Sequence, residues 1–260
     1  MAPSPTSVSA PISRIQRGVT AAVLALLLVA GCGKKAEDQA RVPASEPPPA
    51  TPSSDPRLED PTYLKQLPPS AQRDIAVGRA YLQQGNPDSA VVYFRQATVR
   101  EARNPGAWTF LGIALARLDR LEEAESAYKK SIEIDAFYPK THSNLGNLYL
   151  KQGQLDAAIL AYERANSIDS TDVTNWLNLA LAYVQKKDNS RAIVSYRKAA
   201  DCDPESAEPY SRLGNLFYDM YLYEGALEAW RDAVTRDPTR EDLKDRIRKV
   251  QAYVDSVASQ

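Results

Sequence analysis

Residues 139–172 read PKTHSNLGNLYLKQGQLDAAILAYERANSIDSTD, and their spacing of small and large apolar residues recurs every 34 residues from Ala71 onward. Aligning Gly78, Gly112, Gly146, Ala180 and Gly214 divides the chain without insertion into units 71–104, 105–138, 139–172, 173–206 and 207–240. Position 7 of each unit is Val77, Leu111, Leu145, Leu179 or Leu213, and position 11 is Tyr81, Leu115, Tyr149, Tyr183 or Phe217. Position 20 is always alanine, as Ala90, Ala124, Ala158, Ala192 and Ala226. Position 24 is always aromatic, as Phe94, Tyr128, Tyr162, Tyr196 and Trp230. Small residues at positions 8 and 20 predict two helices that approach closely and face each other there. Large residues at 7, 11 and 24 then fill the space between layers. One such hairpin cannot bury its apolar face, but five stacked hairpins can. The six prolines after residue 70 stand at unit starts, first turns or loops, never in a helix interior, where one would cost about 3 kcal/mol.

This pattern resembles the tetratricopeptide repeat, W-x2-L-G-x2-Y followed by A-x3-F and a later alanine. Trp108 and Trp176 occupy the opening aromatic position, with His142 and Tyr210 at the same place in other units. The resemblance covers about two-thirds of the chain. It implies an all-α fold: a right-handed superhelical solenoid of five 34-residue helix-turn-helix repeats. It also implies that helix A positions 2, 5, 6, 9, 12 and 13 line a concave groove.

Beyond the repeats, residues 241–260 remain helical in pattern. Leu243, Ile247, Val250, Val254 and Val257 form one stripe, and Lys244, Asp245, Arg248 and Lys249 lie on the other face. That is the pattern of a C-terminal capping helix, apolar inside and charged outside.

Ahead of the repeats, Arg14 and Arg17 precede Val19–Ala30, a run that is apolar except for Thr20. It is too short for a spanning helix, which needs about 20 residues, and has the dimensions of a secretory signal. The run ends Leu28-Val29-Ala30-Gly31-Cys32, which resembles a bacterial lipobox. The resemblance implies that residues 1–31 are a lipoprotein signal peptide and that Cys32 carries a covalent lipid. Two or more acyl chains anchor firmly where one holds marginally. Gly33, standing where aspartate would signal inner-membrane retention, favours the outer membrane facing the periplasm. Residues 32–70 then read as a disordered, Pro-rich tether, with Pro47-Pro48-Pro49, Pro52 and Pro56 among few apolar residues. Pro61 to Leu67 either form a short helix or pack on the first repeat.

Composition excludes several classes of function. Thirty-two Lys and Arg against 33 Asp and Glu give a formal charge of −1, unlike a nucleic-acid binder. One histidine rules out a zinc motif needing two. Two cysteines, one of them Cys32, leave Cys202 as a structural thiol. No phosphate loop, nucleophile elbow or Cys/His cluster is present, so neither catalysis, a metal, nor a small-molecule substrate is expected.

Function is therefore expected in the groove. Asn144 and Asn178 hold position 6 of successive units, and Asn147 and Asn215 hold position 9. Positions 6 and 9 lie about one helical turn apart, which aligns these amides along one face. Each amide offers a donor and an acceptor, the pair that grips a peptide backbone. Arg212 and Lys151 add positive charge for a carboxylate. The Asn ladder resembles that of tetratricopeptide proteins that bind peptide backbones. The two-carboxylate clamp of the same family is incomplete, since Ser143 and Glu208 replace its two lysines. Across the groove positions Arg79, Arg117, Lys140, Lys151 and Arg212 oppose Glu208 and Asp219, and Phe110 and Tyr218 offer apolar surface. The expected partner is an extended, neutral-to-acidic peptide of another protein. The expected role is a lipid-anchored scaffold of the bacterial cell envelope. The alternatives are a pilotin-like assembly factor for a secretin or type IV pilus, or a non-catalytic regulator of a cell-wall hydrolase.

Overall fold

A computed structural model describes residues 60–259, within the second of two compact units of the chain. The expected signal segment, Cys32 and the tether through residue 59 lie outside the described residues.

The described residues form helices joined by short turns. α1 is the single turn Pro61–Leu64. Five hairpins follow: α2 (Ala71–Gln83) with α3 (Pro87–Arg100), α4 (Pro105–Arg117) with α5 (Leu121–Ile134), α6 (Pro139–Lys151) with α7 (Leu155–Ile168), α8 (Val173–Gln185) with α9 (Asn189–Cys202), and α10 (Ala207–Asp219) with α11 (Tyr223–Arg236). α12 (Glu241–Ala258) closes the stack. Each A helix packs on its own B helix, and each B helix on the next A helix. The A helices α2, α4, α6 and α8 also touch successively, whereas the B helices make no comparable contact with one another. The A helices therefore line the inner side of the stack. The result is an all-α solenoid of helix-turn-helix repeats with a terminal capping helix.

Local chemistry sets the boundaries. Ser70, Asn86, Asn104 and Asp188 each accept a backbone N–H three residues on, and Pro87, Pro105 and Pro139 open their helices. Each A helix ends through a residue of positive φ at position 15: Gly85 (72°), Asp119 (60°), Gly153 (73°), Lys187 (62°) and Tyr221 (60°). That conformation lets the next N–H reach back to position 11, as in Arg120 N to Leu115 O at 3.0 Å. Asp119, Lys187 and Tyr221 hold it at a steric cost of about 1–2 kcal/mol each. Between repeats, Asp135, Asp169, Asp203 and Asp237 at position 31 each accept the N–H two residues on.

The core corrects one packing expectation. The small residue at position 8 faces the aromatic ring at position 24, rather than the alanine at position 20. A Cβ on Gly112 would lie 2.4 Å from Tyr128 Cε1, and one on Gly214 would lie 2.4 Å from Trp230 Cδ1. The position-20 alanines are fully buried beside these rings. At position 4, the indole N–H groups of Trp108 and Trp176 donate to carbonyls six residues upstream, Ala102 O and Ser170 O, each at 2.9 Å. His142 Nε2 holds the same relation to Ala136 O at 3.0 Å, so it packs as a substitute for tryptophan. The Cys202 thiol is half-buried and donates to Ser170 O at 3.2 Å.

Of the two readings open for Pro61 to Leu67, both hold in part: Pro61–Leu64 form one helical turn, and Leu64, 1% exposed, packs with Val77 and Ala80 of the first repeat. α12 does not break the repeat at its start: Glu241 begins 34 residues after Ala207, as the A helix of a sixth unit. Its apolar stripe buries Leu243 and Val250 and half-buries Ile247 and Val254, but Val257 is 56% exposed.

Candidate functional site

The inner face is built from A helices whose position-9 side chains meet position 6 of the next repeat. Asn147 on α6 and Asn178 on α8 form one such pair: Asn178 Nδ2 donates to Asn147 Oδ1 at 3.1 Å. The Tyr162 hydroxyl on α7 donates to the same oxygen at 2.6 Å. Burial pushes the Tyr162 phenol well above its ordinary value, so it remains a donor. With both lone pairs of Asn147 Oδ1 used, its orientation is set. Among the described residues, Asn147 Nδ2 has no acceptor and Asn178 Oδ1 has no donor. The pair thus presents one donor and one acceptor on exposed and half-buried residues.

Asn215 repeats this geometry one layer before the end. Its Oδ1 accepts from Trp230 Nε1 at 3.1 Å and from Arg246 Nη1 at 3.0 Å. Arg246 stands at position 6 of the sixth A helix. It was missed from sequence because residues past 240 were not counted in the repeat; extending the 34-residue register would have found it.

The other expected residues are placed differently. Asn144 Nδ2 donates to Lys140 O at 2.7 Å within its own helix, so Asn144 does not join the Asn147–Asn178 pair. Arg212 Nε pairs with Glu208 Oε1 at 2.7 Å. Lys151 Nζ pairs with Asp119 Oδ1 at 2.7 Å, reaching back to the left-handed turn residue of the preceding repeat. Arg117 Nη1 donates to Leu82 O at 2.8 Å and so closes the end of α2. Three of the five cations counted for this face are therefore already engaged. Arg79 and Lys140 are the two that remain, and both lie over the Phe110 ring, at 5.6 Å and 5.0 Å from its centroid. Tyr218 is partly exposed and tilts against Trp230 and Tyr223.

Among the described residues, no group of three or more His, Cys, Asp or Glu side chains could hold a metal ion. Nor is any described helix long and apolar enough to cross a membrane. The arrangement brings hydrogen-bonding groups, charge and apolar surface together on one face.

Comparison with known proteins agrees with this architecture. Profiles described as tetratricopeptide repeat match residues 76–139 and 127–159, and one described as TPR repeat matches 146–187 and 180–220. Tetratricopeptide repeat protein 37 of Xenopus laevis is 39% identical over 51 residues, which is 20% of this chain and 3% of that protein. Superkiller complex protein 3 of Homo sapiens is 36% identical over 62 residues, 24% of this chain and 4% of that protein. The chain therefore spans only a few per cent of these curated relatives. Among solved structures, MamA 41-end from Desulfovibrio magneticus RS-1 has TM-score 0.58 and 22% identity, over 65% of this chain and 96% of that one. Pseudomonas aeruginosa pilF has TM-score 0.63 and 21% identity, over 73% of this chain and 87% of that one. YrrB, titled a TPR protein with an unusual peptide-binding site, has TM-score 0.55 and 17% identity, over 69% of this chain and 92% of that one. At these identities the likeness is one of fold.

Proposed function

The chain belongs to the tetratricopeptide repeat proteins, and from that premise we propose that it is a lipid-anchored assembly factor of the bacterial cell envelope, of the pilotin-like kind that serves a secretin or type IV pilus. Its repeats make it a protein–protein interaction scaffold, a fold class without catalytic machinery. The finer reading adds an anchor, a location and a ligand. The anchor is the lipid on Cys32, and the location is the outer membrane, facing the periplasm. The ligand is an extended, neutral-to-acidic segment of a partner protein. No nucleic acid, metal or small-molecule substrate enters this reading.

The observation that carries the ligand reading is the Asn147–Asn178 pair. Its internal bonds hold an outward donor beside an outward acceptor, which matches the alternating C=O and N–H of an extended backbone. Preorganised side chains lose less entropy on binding. The resemblance of Leu28–Cys32 to a lipobox supports the anchor. A fold like that of Pseudomonas aeruginosa pilF, over 87% of that chain, is compatible with this reading.

Deletion of the protein tests the pathway. Loss of heat-resistant secretin multimers from envelopes, reproduced by Cys32→Ser, is the expected result. Unchanged multimers with altered muropeptides would replace this reading with the hydrolase alternative. Asn147→Ala with Asn178→Ala, in the anchored protein, should lower multimer yield by themselves; normal yield would move the binding site off this face.

A further inference from the structure

We propose that Arg79, Phe110 and Lys140 form a carboxylate-recognition subsite, taking an Asp or Glu side chain of the bound segment together with an adjacent apolar residue. This deepens the groove reading above and rests on it.

The three residues come from successive A helices, α2, α4 and α6, at positions 9, 6 and 2 of their repeats. They converge because position 9 meets position 6 of the next repeat, as Asn147 meets Asn178. Phe110 is held in place by its core neighbour: its ring stacks on Phe94 with centroids 5.6 Å apart and planes 16° off parallel. Phe94 is fully buried. Phe110 is therefore a rigid half-buried platform, and the exposed Arg79 and Lys140 lie over it.

Charge distinguishes this place from the rest of the face. Arg212 faces Glu208, Lys151 faces Asp119, Arg117 caps Leu82 O and Arg246 binds Asn215. Among the described residues, neither Arg79 nor Lys140 has an ion pair. Two like charges sharing one ring repel each other, and the ring quadrupole offsets only part of that repulsion. A ligand carboxylate placed between them would neutralise both through charge-assisted hydrogen bonds. Phe110 would meanwhile take the ligand's neighbouring apolar side chain. The same segment would continue along α6 and α8 to the Asn147–Asn178 pair, so acid recognition and backbone grip lie on one path.

The carboxylate subsite sits in the first three repeats. Of the five cations that the sequence places on this face, Lys151 and Arg212 are already held in ion pairs.

The test uses the full-length lipidated chain in detergent, with a phage-displayed library of random peptides as the probe. Selected peptides are resynthesised and their affinities measured by fluorescence anisotropy. Three proteins are compared: the unmodified chain, Arg79→Gln with Lys140→Gln, and Asn147→Ala with Asn178→Ala. Arg79 and Lys140 are exposed, so folding should be unaffected, and circular dichroism checks this. The subsite predicts Asp or Glu beside an apolar residue in the selected peptides. It predicts about tenfold weaker binding to the Arg79/Lys140 variant at low salt, narrowing as salt rises. Changing the peptide Glu to Gln should weaken binding to the unmodified chain but not to that variant. Peptides that lose affinity with the asparagine variant but not with the Arg79/Lys140 variant would overturn the subsite alone. Selection of no peptide, or binding indifferent to both variants, would overturn the groove reading and the subsite with it.

Discussion

The hydroxyl of Tyr162 donates to Asn147 Oδ1 across 2.6 Å, tying the B helix of the third repeat to its A helix where Asn178 of the fourth repeat also bonds. One carboxamide oxygen thus joins hairpin closure, repeat stacking and the candidate ligand face. Tyr162 is fully buried, so its hydroxyl has no water to substitute for that acceptor.

Asn147→Leu should destabilise the protein by about 1–3 kcal/mol, because the buried Tyr162 hydroxyl loses its acceptor. Tyr162→Phe should cost less, about 1 kcal/mol, since Asn147 keeps Asn178 and no polar atom is stranded. Both should weaken peptide binding, the first more than the second. Urea denaturation and peptide titration on the same variants measure the two effects separately.

Gly112→Ala should cost about 1–3 kcal/mol through overpacking, because the new Cβ would fall 2.4 Å from a ring that is itself 1% exposed. Combining it with Tyr128→Leu should recover part of the loss. A double-mutant cycle of unfolding free energies checks the coupling, and additive losses would mean the ring is not the obstacle.

Asn166→Val should stabilise the protein by about 1–2 kcal/mol. Among the described residues, neither amide atom of Asn166 has a hydrogen-bond partner, and the residue is buried. The equivalent positions in other repeats hold Thr98, Ile132, Ala200 and Val234, so the site accepts an apolar side chain. Differential scanning calorimetry should show a higher Tm, by about 2–4 °C per kcal/mol for a protein of this size.

Stability should fall in acid through the turn and cap aspartates. Hydrogen bonds from the Thr171 hydroxyl and backbone N–H hold the Asp169 carboxyl below its ordinary value. The Thr239 hydroxyl and N–H do so for Asp237, and the Arg191 N–H and guanidinium for Asp188. A lowered carboxyl stabilises the fold fully above its unfolded value, and that contribution is lost as pH falls through the lowered one. Thermal stability should therefore decline below about pH 4. Asp169→Asn should shallow that decline, measured as Tm against pH; an unchanged slope would remove this turn from the acid response.

Some of the site was legible in sequence and some was not. Asn147, Asn178 and Asn215 could be placed on one face because the resemblance to the tetratricopeptide repeat implies which helix A positions line the groove, and the 34-residue register carries those positions into each unit. That Asn147 bonds Asn178 while Asn144 bonds its own helix could not be read, since the choice depends on how far one repeat slides over the next. The engagement of Lys151 was hidden for a related reason: Asp119 lies at position 15, a turn residue outside the groove positions. Its left-handed backbone aims it at the following repeat.

The repeat itself was determined by sequence. The recurrence of a residue no larger than Ala at position 8 with an aromatic at 24 dictates close helix crossing: at Gly78, Gly112, Gly146 and Gly214 the ring fills the space a Cβ would need, and Ala180 keeps the smallest side chain there. The fold follows from that local rule applied five times. Tertiary structure alone decided which charges stayed available. Ion pairs such as Lys151–Asp119 and contacts such as Arg79–Phe110 join residues about 30 positions apart, and no periodicity along the chain specifies the angle between stacked hairpins that closes them.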